Sequence, residues 1–326
     1  MYQSNQNIDK DISIGVIIPC YRVRNMIIDV LKNIGSIVDK IYLIDDCCPE
    51  GSGKFVESTY NDERINIIYH KANLGVGGAV KTGYRQALND GCTIIVKLDG
   101  DGQMDPKLIE KIIKPIVDGA ADYSKGNRFF DLASIKSMPR LRLFGNSVLS
   151  LFNKFVCGYW NIMDPTNGYT AIHKSALLRL PLEKIENRFF FESDMLFRLS
   201  LYKAVIWELP MDAVYAGEIS NLKISKVLID FPFKYLTRFL KRVFYMYFLR
   251  EFNVGTLQIV TGTALFMFGL IFGLVKWINS ILTGIPATSG TVMLSSLPLI
   301  LGFQLLLSAI FYDMQNVPSA PIQKYD

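Results

Sequence analysis

Residues 255–275 contain no charged side chain, and neither do residues 277–312. Each run is long enough to cross a hydrocarbon core of about 30 Å at about 1.5 Å per helical residue. A helix packed against a soluble core keeps a charged face toward water, and these runs have none. Two membrane-spanning helices are therefore expected, near residues 254–277 and 290–312, joined by the uncharged loop 279–290.

Charge on either side of the spans sets their direction. Lys223, Lys226, Lys234, Arg238, Lys241, Arg242 and Arg250 cluster ahead of the first span, whereas the loop between the spans carries no Lys or Arg. By the positive-inside rule both termini face the cytoplasm and the loop faces the opposite side of the cell membrane. The net charge of +5 resides largely in this cluster, which favours anionic lipid over nucleic acid as its partner. Within residues 221–252 the basic residues alternate with Leu, Phe and Tyr at helical spacing, the pattern of amphipathic helices lying in a membrane surface. Residues 1–10 are polar and lack the apolar stretch of a signal peptide, so the N-terminal part is expected to stay on the side where it is made. The chain thus divides into a large domain at 1–215, juxtamembrane helices at 216–253, and two spans with a short tail at 254–326.

The first part alternates strand and helix signals. Strands are expected at 13–19, 40–45, 65–69 and 93–99, and helices at 25–34, 75–89 and 106–117, the last with Pro106 in its first turn. Such alternation predicts an α/β fold, a mostly parallel sheet with helices on both faces, whose ligands bind at the carboxyl ends of the strands. The candidate residues gather there: Pro19 and Tyr21 after the first strand, Asp45 and Asp46 at the second, Asp99 and Asp101 at the fourth. The pentad Asp99-Gly100-Asp101-Gly102-Gln103 sets two carboxylates beside glycines, a pattern suited to Mg²⁺ or Mn²⁺ held jointly with a substrate phosphate.

Other motifs exclude function classes. The turn Asn73-Leu74-Gly75-Val76-Gly77-Gly78 has Val80 where a dinucleotide-binding or P-loop pattern needs glycine, which leaves an anion-facing turn or tight helix packing as its purpose. The five cysteines, 20, 47, 48, 92 and 157, form no Cys-x-x-Cys pair and are expected to be reduced thiols. His70 and His173 are read as structural.

The ordered set Ile17-Ile18-Pro19-Cys20-Tyr21, Ile44-Asp45-Asp46, Asn73-Leu74-Gly75 with Gly83, Asp99-x-Asp101-x-Gln103, Gly126-Asn127-Arg128, Asp164-Pro165-Thr166-Asn167-Gly168-Tyr169 and Phe191-Glu192-Ser193-Asp194 resembles family 2 glycosyltransferases. It is most similar to the polyprenyl-phosphate branch, with dolichol-phosphate mannose synthases and bacterial undecaprenyl-phosphate glucosyltransferases, over roughly residues 13–215. The resemblance implies a GT-A-type, Rossmann-like sheet. It places Pro19, Tyr21, Asp46 and Asp99 at the donor nucleotide, and Asp99, Asp101 and Gln103 at the metal. Arg128, Arg142 and Asn146 fall at the acceptor phosphate, with Arg140 an equally near candidate to Arg142. Asp101, Arg128 and Asp194 become the catalytic set, Asp194 either as a base or as a group orienting sugar or acceptor.

The implied reaction is inverting transfer of a hexose from a nucleotide sugar to the phosphate of a membrane polyprenol. UDP-glucose is the expected donor, because the two-span tail resembles the glucosyltransferases. A GDP-mannose-dependent synthase, a processive polysaccharide synthase and a membrane-anchored nucleotide-sugar binding protein are the alternatives, and a homo-oligomer is possible. Two departures touch the base-binding region: Arg22, Val23 and Arg24 stand where an acidic residue is frequent, and Cys47-Cys48-Pro49 replaces a commoner Gly-Ser.

Overall fold

The computed structural model describes residues 12–130, 140–211 and 224–325, without the side chains of residues 140–142 and 224–229. The chain falls into two compact units. The first comprises Met1–Cys157, Asn161–Leu236 and Pro318–Asp326; the second comprises Gly158–Trp160 and Thr237–Val317.

The first unit is built on a seven-stranded sheet in the order β3-β2-β1-β4-β6-β5-β7. Its strands are β1 (Ile14–Cys20), β2 (Lys40–Asp45), β3 (Ile65–Tyr69), β4 (Ile94–Lys97), β5 (Tyr123–Asn127), β6 (Thr170–His173) and β7 (Ile206–Pro210). The pairs β2–β3, β1–β2, β1–β4 and β5–β7 are parallel, while β6 runs antiparallel to β4 and β5. All strands but β6 therefore end on one edge of the sheet, and the chain enters β6 from that same edge.

Helices α1 (Ile27–Lys32), α2 (Ser52–Thr59), α3 (Val76–Asn89) and α4 (Ile109–Val117) connect the first strands. Val16, Ile18, Ile41, Leu43, Ile94 and Val96 are at most 2% exposed and meet Ile27, Leu31, Ile109, Ile112, Ile113 and Ile116 in one core. Burying side chains of this size is worth roughly 1.5–3 kcal/mol each. This explains why β-branched runs read from sequence as strands are strands here. The expected strand at 93–99 stops at Lys97, so Asp99 lies in the turn beyond it. The expected helix at 106–117 begins as a 3-10 turn, Pro106–Leu108, with Asp105 accepting from Lys107 N, and continues as α4.

Three further helices complete this part of the chain: α5 (Arg140–Cys157), α6 (Lys174–Arg179) and α7 (Phe191–Leu201). Helix α8 (Ile224–Phe244) then carries Phe233, Leu236, Leu240 and Phe244, spaced three or four residues apart and each more than half exposed.

The second unit contains the apolar hairpin, α9 (Val254–Thr283) and α10 (Ser289–Gln315). Both helices are long and apolar enough to cross a membrane. They approach closely where glycines leave room: a Cβ on Gly269 would lie 2.6 Å from Leu299 N, and one on Gly302 would lie 2.8 Å from Gly262 O. Asn253 and Thr256 form a capping box at the start of α9, and Gly284 ends it with a φ of 68°. Arg242 Nη1 and Nη2 donate to Asp313 at 2.9 and 2.8 Å, and Tyr247 Oη donates to Asp313 at 2.7 Å.

Candidate active site at the strand ends

The carboxyl ends of β1, β2, β4, β5 and β7 bring the polar residues together. Pro19 closes β1, and Tyr21 stands 39% exposed beyond it, with the Arg22 guanidinium 5.4 Å from its ring centroid. Arg22 itself takes a φ of 61°, and its N–H donates to Cys48 Sγ at 3.1 Å. Hence the two segments that depart from the family pattern, 22–24 and 47–49, are tied to each other.

Both acidic residues at the end of β2 are engaged by the protein itself. Asp45 accepts from Cys48 N at 2.7 Å and Gly53 N at 2.8 Å. Asp46 accepts from Leu74 N at 2.8 Å and Gly75 N at 2.7 Å, and shares a 2.7 Å hydrogen bond with His70 Nδ1. His70 Nε2 in turn meets Thr82 Oγ1 at 2.9 Å. Asp46, 3% exposed, thus anchors the glycine-rich turn.

That turn serves packing. A Cβ on Gly75, whose φ is +85°, would lie 2.7 Å from Asn187 O; one on Gly77 would overlap Glu186 O; and one on Gly83 would lie 2.5 Å from Ile17 Cγ2. Gly78 N donates to Asn187 O at 3.1 Å, a protein carbonyl in the place an anion would take.

Beyond β4, Asp99 Oδ1 lies 2.9 Å from Lys97 Nζ, and Asp101 Oδ1 accepts from Gln103 N at 3.0 Å across Gly102, whose φ is +75°. Lys97 is 1% exposed, and its Nζ also lies 3.5 Å from Glu192 Oε1 and donates to Gly168 O at 3.1 Å. Burial acts to lower the Lys97 ammonium, but the charges of Asp99 and Glu192 outweigh it and hold it above its ordinary value. Burial raises the Glu192 carboxyl against the attraction of Lys97.

No group of three His, Cys, Asp or Glu side chains able to hold a metal ion exists among the described residues. Asp99 and Asp101 nonetheless fit a hard divalent cation of the kind that is bound by one or two carboxylates and completed by substrate phosphates. Gln103, expected in the metal set, contributes its backbone N–H to Asp101. A bound ion would supply positive charge where a diphosphate departs.

β5 ends in Asn127, followed by Arg128, whose guanidinium meets Asp164 in two parallel bonds, Nε to Oδ2 at 2.7 Å and Nη2 to Oδ1 at 2.9 Å. Asp164 is fully buried, which acts to raise its carboxyl, but the Arg128 hydrogen bonds and charge prevail and hold it below its ordinary value. Glu208 on β7 accepts from Met163 N, Asp164 N and Asn127 Nδ2, each at 2.9 Å, and fixes the loop entering β6. Lys125 Nζ donates to Asp164 O. Burial lowers the Lys125 ammonium to about 8.

Asp194, expected in the catalytic set, is fully buried, and its Oδ2 accepts from Arg198 Nε and Glu186 N, both at 3.0 Å. Two positions earlier on α7, Glu192 faces the Lys97–Asp99 pair instead. Arg142 lies on α5, and its side chain, like that of Arg140, is outside the described residues; Asn146 is half-buried one helical turn further on. Sequence reading missed Lys97, Glu192 and Glu208. For Lys97 the signal was a lone charge inside an otherwise apolar strand.

Residues 15–180 match the family described as Glycosyl transferase family 2. The chain belongs to that family. It is 31% identical to the UDP-N-acetylglucosamine–dolichyl-phosphate N-acetylglucosaminyltransferase of Methanococcus voltae, over 70% of this chain and 96% of that one. It is 27% identical to the undecaprenyl-phosphate mannosyltransferase of Micrococcus luteus, over 57% of this chain and 75% of that protein. Among solved structures, mannosyl-3-phosphoglycerate synthase from Rubrobacter xylanophilus superposes with a TM-score of 0.54 at 12% identity, covering 74% of this chain and 77% of its own. Glucosyl-3-phosphoglycerate synthase from Mycobacterium tuberculosis, in complex with Mn²⁺, UDP and phosphoglyceric acid, superposes with a TM-score of 0.50 at 14% identity, covering 71% of this chain and 78% of its own. These likenesses establish the GT-A fold expected from the motif order.

Proposed function

We propose that this glycosyltransferase moves a sugar from a nucleotide diphosphate donor to the phosphate of a membrane polyprenol. One observation carries the reading. The acidic turn after β4 and the Asn127-Arg128 pair after β5 leave the same sheet edge, separated by β6 alone. Two strand spacings amount to roughly 10 Å, which suits a donor diphosphate on one side and an acceptor phosphate on the other.

The chain's residues then divide the work. Asp99 and Asp101 would hold a divalent ion, which would supply positive charge toward the departing diphosphate. A lipid phosphate is anionic at neutral pH, so it needs positioning more than deprotonation, and Asp164 presets the plane of the Arg128 guanidinium for that contact. Arg142 and Asn146 on α5 are the further acceptor candidates. Pro19 and Tyr21 line the nucleotide side, and Asp46 supports that side by anchoring the Leu74–Gly75 turn. Asp194 ties α7 to the segment before it through Glu186 N and is assigned no base role.

The donor choice shifts from the expected UDP-glucose. The relatives named above act with N-acetylglucosamine and mannose, and the one matched over nearly its whole length takes UDP-N-acetylglucosamine. UDP-N-acetylglucosamine is therefore the first donor to test, ahead of GDP-mannose and UDP-glucose. Membrane fractions holding the full chain, offered each nucleotide sugar with undecaprenyl phosphate, should form lipid-linked product from one of them. Donor hydrolysis or binding with no lipid-linked product from any would sink the reading.

The two long apolar helices support a membrane setting for this chemistry. Within the first unit, Asp122, fully buried, accepts from Ile322 N and Gln323 N of the tail as well as from Val205 N. If both apolar helices cross the bilayer, a tail docked on the catalytic unit supports one side for both, in keeping with the cytoplasmic orientation read from charge.

A further inference from the structure

We infer that Lys97 is a positioning residue for the metal-binding carboxylate, its buried ammonium fixing Asp99 at the end of β4 before an ion or a nucleotide arrives. This rests on the active-site reading above. A buried ammonium is costly unless its three N–H donors are satisfied. Lys97 satisfies them with acceptors from three separate segments: Asp99 Oδ1 in the turn after β4, Glu192 Oε1 on α7, and Gly168 O in the loop entering β6. Lys97 is the last residue of β4 and Asp99 follows two residues later, beyond the strand. Asp99 is thereby tied to the helix and to the loop that shape the cleft, rather than left as the tip of a turn.

Gly168 explains why the loop can come so close. A Cβ there would overlap the Lys97 ammonium and stand 2.9 Å from Asp99 Oδ2. The glycine of the Asp164–Tyr169 motif thus leaves room for the Lys97–Asp99 pair.

A different role for Lys97 makes the opposite prediction. Were it only a neutralising charge, its removal would relieve repulsion and tighten cation binding. A positioning role predicts looser binding, since partners that orient metal ligands typically contribute 10–100-fold in affinity.

The sign decides the matter. Mn²⁺ titration of the full chain in detergent, followed by electron paramagnetic resonance with saturating UDP and, in a parallel series, GDP, measures it. Lys97→Met should weaken Mn²⁺ binding by about tenfold or more, with nucleotide affinity in the absence of the ion unchanged. Gly168→Ala keeps every charge but displaces both side-chain tips, and should weaken Mn²⁺ in the same direction. Mn²⁺ held as tightly or more tightly by Lys97→Met overturns the inference. Should that variant lose its cooperative melt, Gly168→Ala decides alone, and an unchanged Mn²⁺ affinity there overturns it. A wild-type chain with no nucleotide-dependent Mn²⁺ site in either series overturns the active-site reading and this inference together.

Discussion

Asp99 and Asp101 stand two residues apart yet answer to different neighbours, Lys97 for one and the Gln103 N–H for the other. Asp101→Asn keeps an oxygen for that N–H while removing a charge, so its melting temperature should stay near wild type while lipid-linked product is lost. Near-normal transfer with Mn²⁺ would remove Asp101 from the metal set. Arg128 is a different case, because Arg128→Ala strands the buried Asp164 carboxylate. A stability loss of roughly 3–5 kcal/mol by denaturant titration is expected, as for one partner removed from a buried pair. Arg142→Ala, compared with Arg140→Ala, should reduce use of lipid phosphate without touching UDP affinity; loss with the Arg140 variant alone would move the acceptor site by two residues. Lys125 gives the pH dependence. Its ammonium is lowered to about 8 by burial, against an ordinary value of 10.5. Between those values the unfolded chain holds a proton that the folded chain lacks, so this group's contribution to stability rises with pH across the window and is absent below about 8. Lys125→Met should flatten that slope in melts taken at pH 7.5 and 9.5, and an unchanged slope would assign it to other groups.

Secondary elements were legible in sequence where burial dictates their composition. β1, β2 and β3 came out within a residue or so of expectation, because β-branched runs between helices have few other ways to bury themselves. The ends of elements were less legible. β4 stops at Lys97, which pairs with Thr170 at the start of β6, a partner more than 70 residues away. The glycine-rich turn had two readings in sequence, and only the apposition of segment 186–187 shows it as close packing. Gly77→Ala should therefore destabilise the fold, since its Cβ meets the backbone oxygen of Glu186, and a melting temperature equal to wild type would restore the anion reading. Asp46→Ala belongs with it. By releasing two backbone N–H groups and His70 it should cost on the order of 3 kcal/mol in stability, beyond any effect on nucleotide binding. A loss of nucleotide affinity with stability intact would return Asp46 to direct contact with the base.

For the molecule as a whole, the tail revises what a truncation can show. Residues before 215 hold every donor candidate, yet the tail belongs to the same compact unit as they do. Asp122 is fully buried and takes two of its N–H donors from Ile322 and Gln323, while Gln323 Nε2 donates to Ile116 O and Ala121 O. Removing the tail should lower the domain's stability, and a chain cut after residue 253 that melts like the full protein would show the dock to be dispensable. Topology has its own test: Tyr325→Cys and Leu282→Cys, both at highly exposed positions, should react with an impermeant maleimide from opposite sides of oriented vesicles, beyond the labelling of native Cys47. By itself the sequence determined the two long apolar helices, the α/β class and the family, because these rest on composition, periodicity and motif order, which are local properties. The tertiary structure alone decided which charges meet: Lys97 with Asp99 and Glu192, Arg128 with Asp164, and Asp122 with the tail. Buried charges must find partners, and sheet order, not spacing along the chain, determines which partners lie within reach.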